Sequence, residues 1–161
     1  MEHKGTVRLE TERLLLRRFE SDDAPAMYRN WAGDEEVTKF LTWPTHKNEE
    51  TSERVLREWI RKYNQPDFYN WAIVWKETGE PVGNISVVSM NEKAEQVHMG
   101  YCISRSLWHQ GVTSEALKET IRFLFEEVQA GCVSARHDTR NPNSGKVMEK
   151  CGMKYEGTLR H

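Results

Sequence analysis

The sequence has few cysteines and no apolar run long enough to cross a membrane. Its three cysteines, Cys102, Cys132 and Cys151, are far apart, and no CxxC pair or Cys/His ligand spacing occurs. The spacing supports neither a disulfide framework nor a zinc site, and it predicts a reducing, cytoplasmic compartment. The N-terminus lacks the apolar segment of a signal peptide, and no stretch reaches the roughly 18 apolar residues of a membrane helix.

An excess of charge of one sign is also missing. Lys and Arg number 23, Asp and Glu number 25, and the formal net charge is −2. A near-neutral domain has no bulk charge for wrapping nucleic acid or an anionic membrane, so neither is expected as a partner. The 161 residues fit one domain over 1–161, and six Trp, five Phe and five Tyr can build its core.

Hydrophobic periodicity predicts the element order β-α-α-β-β-β-α-β-α-β. The predicted strands cover 8–19, 70–75, 81–88, 95–103, 132–139 and 153–158, and the predicted helices cover 21–32, 50–63, 113–128 and 143–151. A hairpin turn is expected at 77–80, where the sequence reads ETGE. The unit from 95 to 139 should be a right-handed parallel crossover, because strand–helix–strand connections almost always take that hand.

The loop between strand 95–103 and the long helix contains a candidate anion site. The first turn of a helix has unpaired N–H groups and a partial positive charge. Gly111 would let the backbone come close, so the N–H groups of residues 110–114 can cradle a phosphate. The alternative from the residues alone is an ordinary helix start capped by Thr113 or Ser114.

A second segment, residues 141–153, reads NPNSGKVMEKCGM. Asn143 or Ser144 would cap a short helix, and Gly152 would end it. A capped helix between strands explains each residue locally. It does not explain why both segments follow strands that can be neighbours in one sheet.

Four motifs in this order resemble one known family. They are TERLLLR at 11–17, GY at 100–101 followed by WHQG and SEAL at 108–111 and 114–117, NPNS at 141–144, and EKCGM with EG at 149–153 and 156–157. The ordered set resembles the GNAT N-acetyltransferase superfamily, in the branch of ribosomal-protein N-terminal (alanine) acetyltransferases. The resemblance covers nearly the whole chain.

The resemblance implies an α/β (α+β) fold with a mostly antiparallel mixed sheet flanked by helices. Strands 95–103 and 132–139 would form a parallel pair that splays apart, with acetyl-CoA as cosubstrate in the gap and no metal. The implied cofactor-binding residues are Tyr101, Cys102, Ile103, His109, Gln110, Gly111, Val112, Thr113, Ser114 and Asn143.

The resemblance also implies that a primary amine attacks the thioester directly. Backbone N–H groups of Cys102 and Ile103 would stabilise the oxyanion. The proton would pass to His98, because an imidazole titrates near neutral pH, or through water to Glu95. Ser144 would protonate the thiolate, because Met148 stands where many members have Tyr.

The acceptor side is less specific. Trp43, in the loop over 34–48, resembles a residue of the branch's substrate-lining loop, and the alternative is that it packs on the core. The acceptor could be a protein N-terminus, a polyamine, an aminoglycoside or an amino acid. A catalytically weak or silent acyl-CoA-binding protein is the alternative function, which Met148 and Thr113 favour. A nucleotide-binding α/β domain is disfavoured, since no GxGxxG or GxxxxGKS/T follows a strand.

The end of the chain gives one more expectation. Relatives usually continue past Arg160 and His161 into another strand, so the final strand is expected to be absent. The edge of strand 132–139 would then be covered by segment 153–158, by a second subunit of a homodimer, or by the remainder of a longer chain.

Overall fold

The structure is a computed structural model that describes residues 1–39, 41 and 43–135. In this part of the chain six strands form one sheet in chain order. They are β1 (Leu9–Glu10), β2 (Leu14–Arg17), β3 (Asn70–Trp75), β4 (Glu80–Asn91), β5 (Gln96–Ile103) and β6 (Cys132–Ala135). Neighbours are antiparallel except β5 and β6, which are parallel. The predicted fold class is therefore confirmed, while the elements expected over 143–151 and 153–158 lie outside the described residues.

Among the residues described, four α-helices accompany the sheet. They are α1 (Ala24–Met27), α2 (Glu35–Thr38), α3 (Glu49–Lys62) and α4 (Val112–Glu126). The helix predicted over 21–32 is present but changes geometry, because a 3₁₀ turn precedes α1 and a π turn follows it. The sequence did not predict α2, whose start is capped where Asp34 Oδ1 accepts a hydrogen bond of 2.9 Å from the Glu36 N–H.

The sheet separates two hydrophobic clusters. On one face α4 packs with Leu117 and Leu124 against core residues of the strands, among them Trp71 and Met99. On the other face α1 and α3 form the second cluster, which includes Met27, Leu56 and the sheet residue Cys102. Burial of apolar surface on both faces stabilises the sheet and fixes which way each β5 side chain points.

The single strand expected over 8–19 is wrong, because the chain makes a short hairpin there. The Thr11 N–H donates a hydrogen bond of 2.9 Å to the Leu14 carbonyl, and β1 and β2 pair as antiparallel strands on either side of this turn. The second half is a strand with one buried face, since Leu14 and Leu16 are fully buried and Leu15 is only partly so. The turn brings Arg13 to the start of α4.

Strand β4 is longer than predicted and is irregular where it crosses β5. Val88 is an extra residue between the pairs Val87–Met99 and Ser89–His98, and its side chain is 56% exposed. At the other end, a Cβ on Gly83 would lie 2.3 Å from the Cys102 carbonyl oxygen. Only glycine permits this approach, which brings β4 against the end of β5 that leads into the candidate anion site.

Candidate active site

Strand β5 extends beyond its parallel partner in the described part of the chain. Residues 96–99 pair with 132–135, and β5 continues for four more residues to Ile103. The Ser104 N–H donates to the Val82 carbonyl over 2.7 Å. Because backbone groups alternate sides along an antiparallel strand, Cys102 turns its N–H toward β4, whereas Tyr101 and Ile103 turn theirs toward the β6 side.

This alternation separates the residues expected to bind acetyl-CoA through their backbone. The N–H groups of Tyr101 and Ile103 face the side where the splay was predicted, and the Cys102 N–H does not. The Ile103 carbonyl already accepts a hydrogen bond of 3.2 Å from Trp108 Nε1. Of the two oxyanion donors expected from sequence, only the N–H of Ile103 faces the side where the splay was predicted, and its catalytic role stays a prediction.

The surroundings of Cys102 are those of a buried structural thiol and not those of a nucleophilic thiol. Its thiol donates a hydrogen bond of 2.9 Å to Asn84 Oδ1 within the cluster under α1 and α3. Burial raises the pKa of the Cys102 thiol to about 12, although a hydrogen bond with the Asn84 backbone opposes this. The thiol is therefore neutral at physiological pH and unsuited to attack a thioester.

The candidate phosphate loop connects β5 to α4. After a 3₁₀ turn at Arg105–Leu107, His109 and Gly111 have positive φ angles of 69° and 75°. Gly111 is the N-cap of α4 and no side chain caps the helix, so the alternative of a start capped by Thr113 or Ser114 is wrong. Gly111 itself places no side chain beside the first-turn N–H groups, and a Cβ there would lie 3.6 Å from Arg13 Nη2. This cradle fits the diphosphate of acetyl-CoA.

Beside the cradle lies an ion pair whose role the sequence did not reveal. Arg13 Nε donates to Glu115 Oε1 over 2.6 Å, and Arg13 Nη1 donates to the Gln110 carbonyl over 3.0 Å. Desolvation would raise the pKa of Glu115, but hydrogen bonds from Thr11 and Arg13 outweigh it and lower that pKa. Thr11 and Arg13 precede Glu115 by about 100 residues. In the sequence they are connected with Glu115 only because TERLLLR and SEAL both belong to the ordered set of motifs.

The two candidate bases, His98 and Glu95, differ in their position relative to β5. His98 is within the strand, on the sheet face shared with Cys102, and its Nδ1 lies 2.8 Å from Ser134 Oγ on β6. Glu95 precedes the strand at a positive φ of 54°, and its carboxylate lies 3.6 Å from the N-terminal amine. Glu95 is therefore at the end of β5 opposite to the phosphate loop, and the catalytic roles of both residues stay predictions.

Trp43 lies on the same side of the sheet as His98. It is half-buried, packs against the cluster of α1 and α3, and has its ring centroid 5.2 Å from that of His46. Its expected role in lining the acceptor site stays a prediction, since packing on the core describes part of its surface. The Trp43 loop, residues 34–48, begins close to the segment that leads into the candidate phosphate loop, because Arg105 Nε lies 3.3 Å from Asp34 Oδ2.

A buried histidine anchors the far end of the Trp43 loop. The His46 N–H donates to the Ala32 carbonyl over 2.8 Å, and His46 Nδ1 lies 2.7 Å from Ser52 Oγ on α3. His46 is 7% exposed and Ser52 is fully buried. Desolvation lowers the pKa of His46 from its ordinary value of 6.5.

We expect this histidine to make folding stability depend on pH. Because the pKa of His46 is lower in the folded protein, the unfolded chain binds the proton first as pH falls below 6.5. The contribution of His46 to the free energy of unfolding should therefore be fully present above that pH and decline below it. Urea unfolding between about pH 5 and about pH 7.5 should show less decline in His46→Gln than in the wild type. An equal decline in both proteins would contradict this role.

The remaining predicted site residues are partly outside the described chain. Ser144 and Asn143 lie beyond residue 135, so their roles stay predictions. Within the described residues, no group of three or more His, Cys, Asp or Glu side chains could hold a metal ion. None of the helices described here is long and apolar enough to cross a membrane.

Comparison with known proteins agrees with this geometry. The family model of the acetyltransferase (GNAT) domain matches residues 13–154. The chain therefore belongs to the GNAT acetyltransferase family, and it is an acetyl-CoA-dependent N-acetyltransferase. One relative, the uncharacterized N-acetyltransferase YoaA of Bacillus subtilis, is 27% identical over 152 residues, which cover 94% of this chain and 85% of the relative.

Solved structures share the fold. A GNAT-family acetyltransferase from Bacillus anthracis superposes with a TM-score of 0.81 at 25% identity, covering 94% of this chain and 86% of that one. The ribosomal-protein-S5-alanine acetyltransferase from Vibrio fischeri superposes with a TM-score of 0.77 at 19% identity, covering 91% and 82%. The second likeness concerns the fold alone.

Proposed function

We propose that the chain acetylates the N-terminal amine of a protein substrate, with the Gly111 cradle holding the diphosphate of acetyl-CoA. The observation that carries the cofactor half is the glycine N-cap of α4, at a positive φ of 75° and without a capping side chain. The acceptor half is supported by the TERLLLR and NPNS motifs, and a protein of the same fold from Vibrio fischeri is a ribosomal-protein-S5-alanine acetyltransferase.

The residues divide into a cofactor side and an acceptor side. On the cofactor side, the cradle would hold phosphate oxygens, and the N–H groups of Tyr101 and Ile103, which face the β6 side, would bind the arm that carries the thioester. Acetyl-CoA supplies the activated acetyl group when it is bound. The Ile103 N–H faces the β6 side, where it would donate a hydrogen bond to the thioester oxygen and stabilise the developing negative charge.

On the acceptor side, His98 is the proposed proton acceptor. An ammonium must lose a proton before its nitrogen can attack, and an imidazole can accept that proton near neutral pH. The contact between His98 Nδ1 and Ser134 Oγ fixes the ring orientation. Glu95 is less suited, because it precedes β5 at the far end. Trp43 is proposed to line the acceptor site, and Ser144 and Asn143 keep the roles implied by the family.

A ligand series tests the cofactor half. A ligand that binds only the folded state raises its stability, by about 2.7 kcal/mol at 100 times the dissociation constant. Saturating acetyl-CoA should therefore raise the melting temperature by several degrees, whereas ATP and NAD at the same concentration should not. No shift with acetyl-CoA would refute the proposed cradle, and an equal shift with all three ligands would refute a site specific for acetyl-CoA.

A further inference from the structure

The side chain of Arg13 reaches from the β1–β2 turn to the phosphate loop. Its Nη1 donates to the Gln110 carbonyl over 3.0 Å, while its Nε donates to Glu115 Oε1 over 2.6 Å. Arg13 therefore connects two points of the cradle: the peptide just before Gly111 and the first turn of α4. A planar guanidinium can make both contacts at once because its donors have a fixed fork geometry.

The Glu115 carboxylate that pairs with the guanidinium is itself fixed by two further hydrogen bonds, and an aromatic ring lies against the guanidinium. Glu115 Oε2 accepts hydrogen bonds from the Arg13 backbone N–H at 2.9 Å and from Thr11 Oγ1 at 2.5 Å. On another side, the Arg13 guanidinium carbon lies 5.7 Å from the centroid of the Trp75 ring. The hydrogen bonds lower the pKa of Glu115 despite its desolvation, so the pair is ionised at neutral pH.

The hydrogen bond from Arg13 to the Gln110 carbonyl determines which way the N–H of Gly111 points. A trans peptide is planar, so its C=O and N–H point in opposite directions. The described residues contain no cis peptide bond. Since the Gln110 carbonyl points at Arg13, the N–H of Gly111 points away from Arg13. Without this contact, the peptide between Gln110 and Gly111 could rotate, because Gly111 has no side chain to restrict it.

We propose that Arg13 is a positioning residue of the cradle: it holds the Gln110 carbonyl so that the Gly111 N–H faces the diphosphate of acetyl-CoA. This inference rests on the proposed function of the cradle. The charge of Arg13 is paired with Glu115 and adds little net attraction for an anion. The contribution of Arg13 is therefore orientation, which a lysine of equal charge cannot supply.

Two ligands separate orientation from general stability. Acetyl-CoA carries the diphosphate, and S-acetylpantetheine carries the same thioester arm without it. Titration calorimetry would give the dissociation constant of acetyl-CoA, and chemical-shift titration that of S-acetylpantetheine. In Arg13→Lys, binding of acetyl-CoA should weaken about tenfold or more, the usual effect of losing a charge-assisted hydrogen bond, whereas binding of S-acetylpantetheine should change less than about twofold.

The matched control is Lys76→Gln. Lys76 Nζ contacts Glu10 Oε2 at 2.6 Å and the Thr11 carbonyl at 2.7 Å, so its side chain supports the same turn through residues outside the cradle. It should leave both affinities unchanged. Glu115→Gln provides a second test, because it releases the guanidinium without altering Arg13 and should weaken acetyl-CoA selectively.

The outcomes distinguish this inference from the proposed function. Selective weakening of acetyl-CoA in Arg13→Lys and Glu115→Gln would support the positioning role. Equal weakening of both ligands, or no weakening, in variants that melt like the wild type would overturn it while leaving the cradle intact. If Arg13→Lys does not fold, Glu115→Gln decides by the same criterion. A wild type that binds both ligands equally well would refute the cradle itself, and the positioning role with it.

Discussion

Replacement of Gly111 by valine is expected to abolish acetyl-CoA binding in a protein that still folds. Gly111 has a φ of 75° and is the N-cap of α4. A valine there would put a branched side chain into the approach to the first-turn N–H groups. It would also cost about 1–2 kcal/mol of stability, because an L-residue is disfavoured in this backbone region. Titration calorimetry with acetyl-CoA measures the first effect, and urea unfolding measures the second.

The control for Gly111→Val is Gly79→Val in the β3–β4 hairpin. Gly79 has nearly the same φ, 76°, and a Cβ there would meet nothing within 4 Å. The two variants should therefore lose similar stability from backbone strain, but only Gly111→Val should lose acetyl-CoA. If a folded Gly111→Val binds acetyl-CoA like the wild type, the cradle is not at Gly111.

Replacement of His98 by alanine is expected to have the second large effect, on turnover rather than on cofactor binding. A positioned general base contributes on the order of 100-fold to 10,000-fold to a rate. If His98 accepts the ammonium proton, kcat/KM of the wild type should rise with pH along a limb that His98→Ala lacks. The affinity for acetyl-CoA should be unchanged, because the cradle follows the C-terminal end of β5, whereas His98 lies nearer the N-terminal end of that strand.

A second histidine controls for the loss of an imidazole in general. His3 is also partly buried, and its Nδ1 lies 2.9 Å from Tyr69 Oη, beside the β4–β5 turn at the far end of the sheet. His3→Ala should keep both the rate and the pH limb. Should His98→Ala retain the wild-type pH profile, the proton would pass instead to Glu95 or to water.

Long elements of this fold could be predicted from the sequence because their own periodicity specifies them. Helix α4 was predicted over 113–128 and covers Val112–Glu126, since its apolar residues recur at helical spacing. The hairpin between β3 and β4 was found from the ETGE turn, which Gly79 allows with its positive φ. In both cases residues close in sequence decide the structure.

Short elements were missed because distant residues determine them. The β1–β2 hairpin contains strands of two and four residues, and its turn is held by Glu115 from α4. Helix α2 is the exception, because its start carries a local signal: Asp34 before two glutamates is a typical N-cap. The role of Arg13 and the contact of His98 with Ser134 depend on tertiary register, which periodicity does not encode.

Acetyl transfer to peptides tests the central claim most directly. Each peptide in a panel would begin with a different residue, including alanine and serine, and would contain one internal lysine. N-terminally blocked copies serve as controls. After incubation with the protein and acetyl-CoA, tandem mass spectrometry locates any added acetyl group. We predict acetylation at the free N-terminus of at least one peptide, with blocked copies and lysines unmodified. Binding of acetyl-CoA without transfer to any N-terminus, or transfer to lysine alone, would contradict the proposed function.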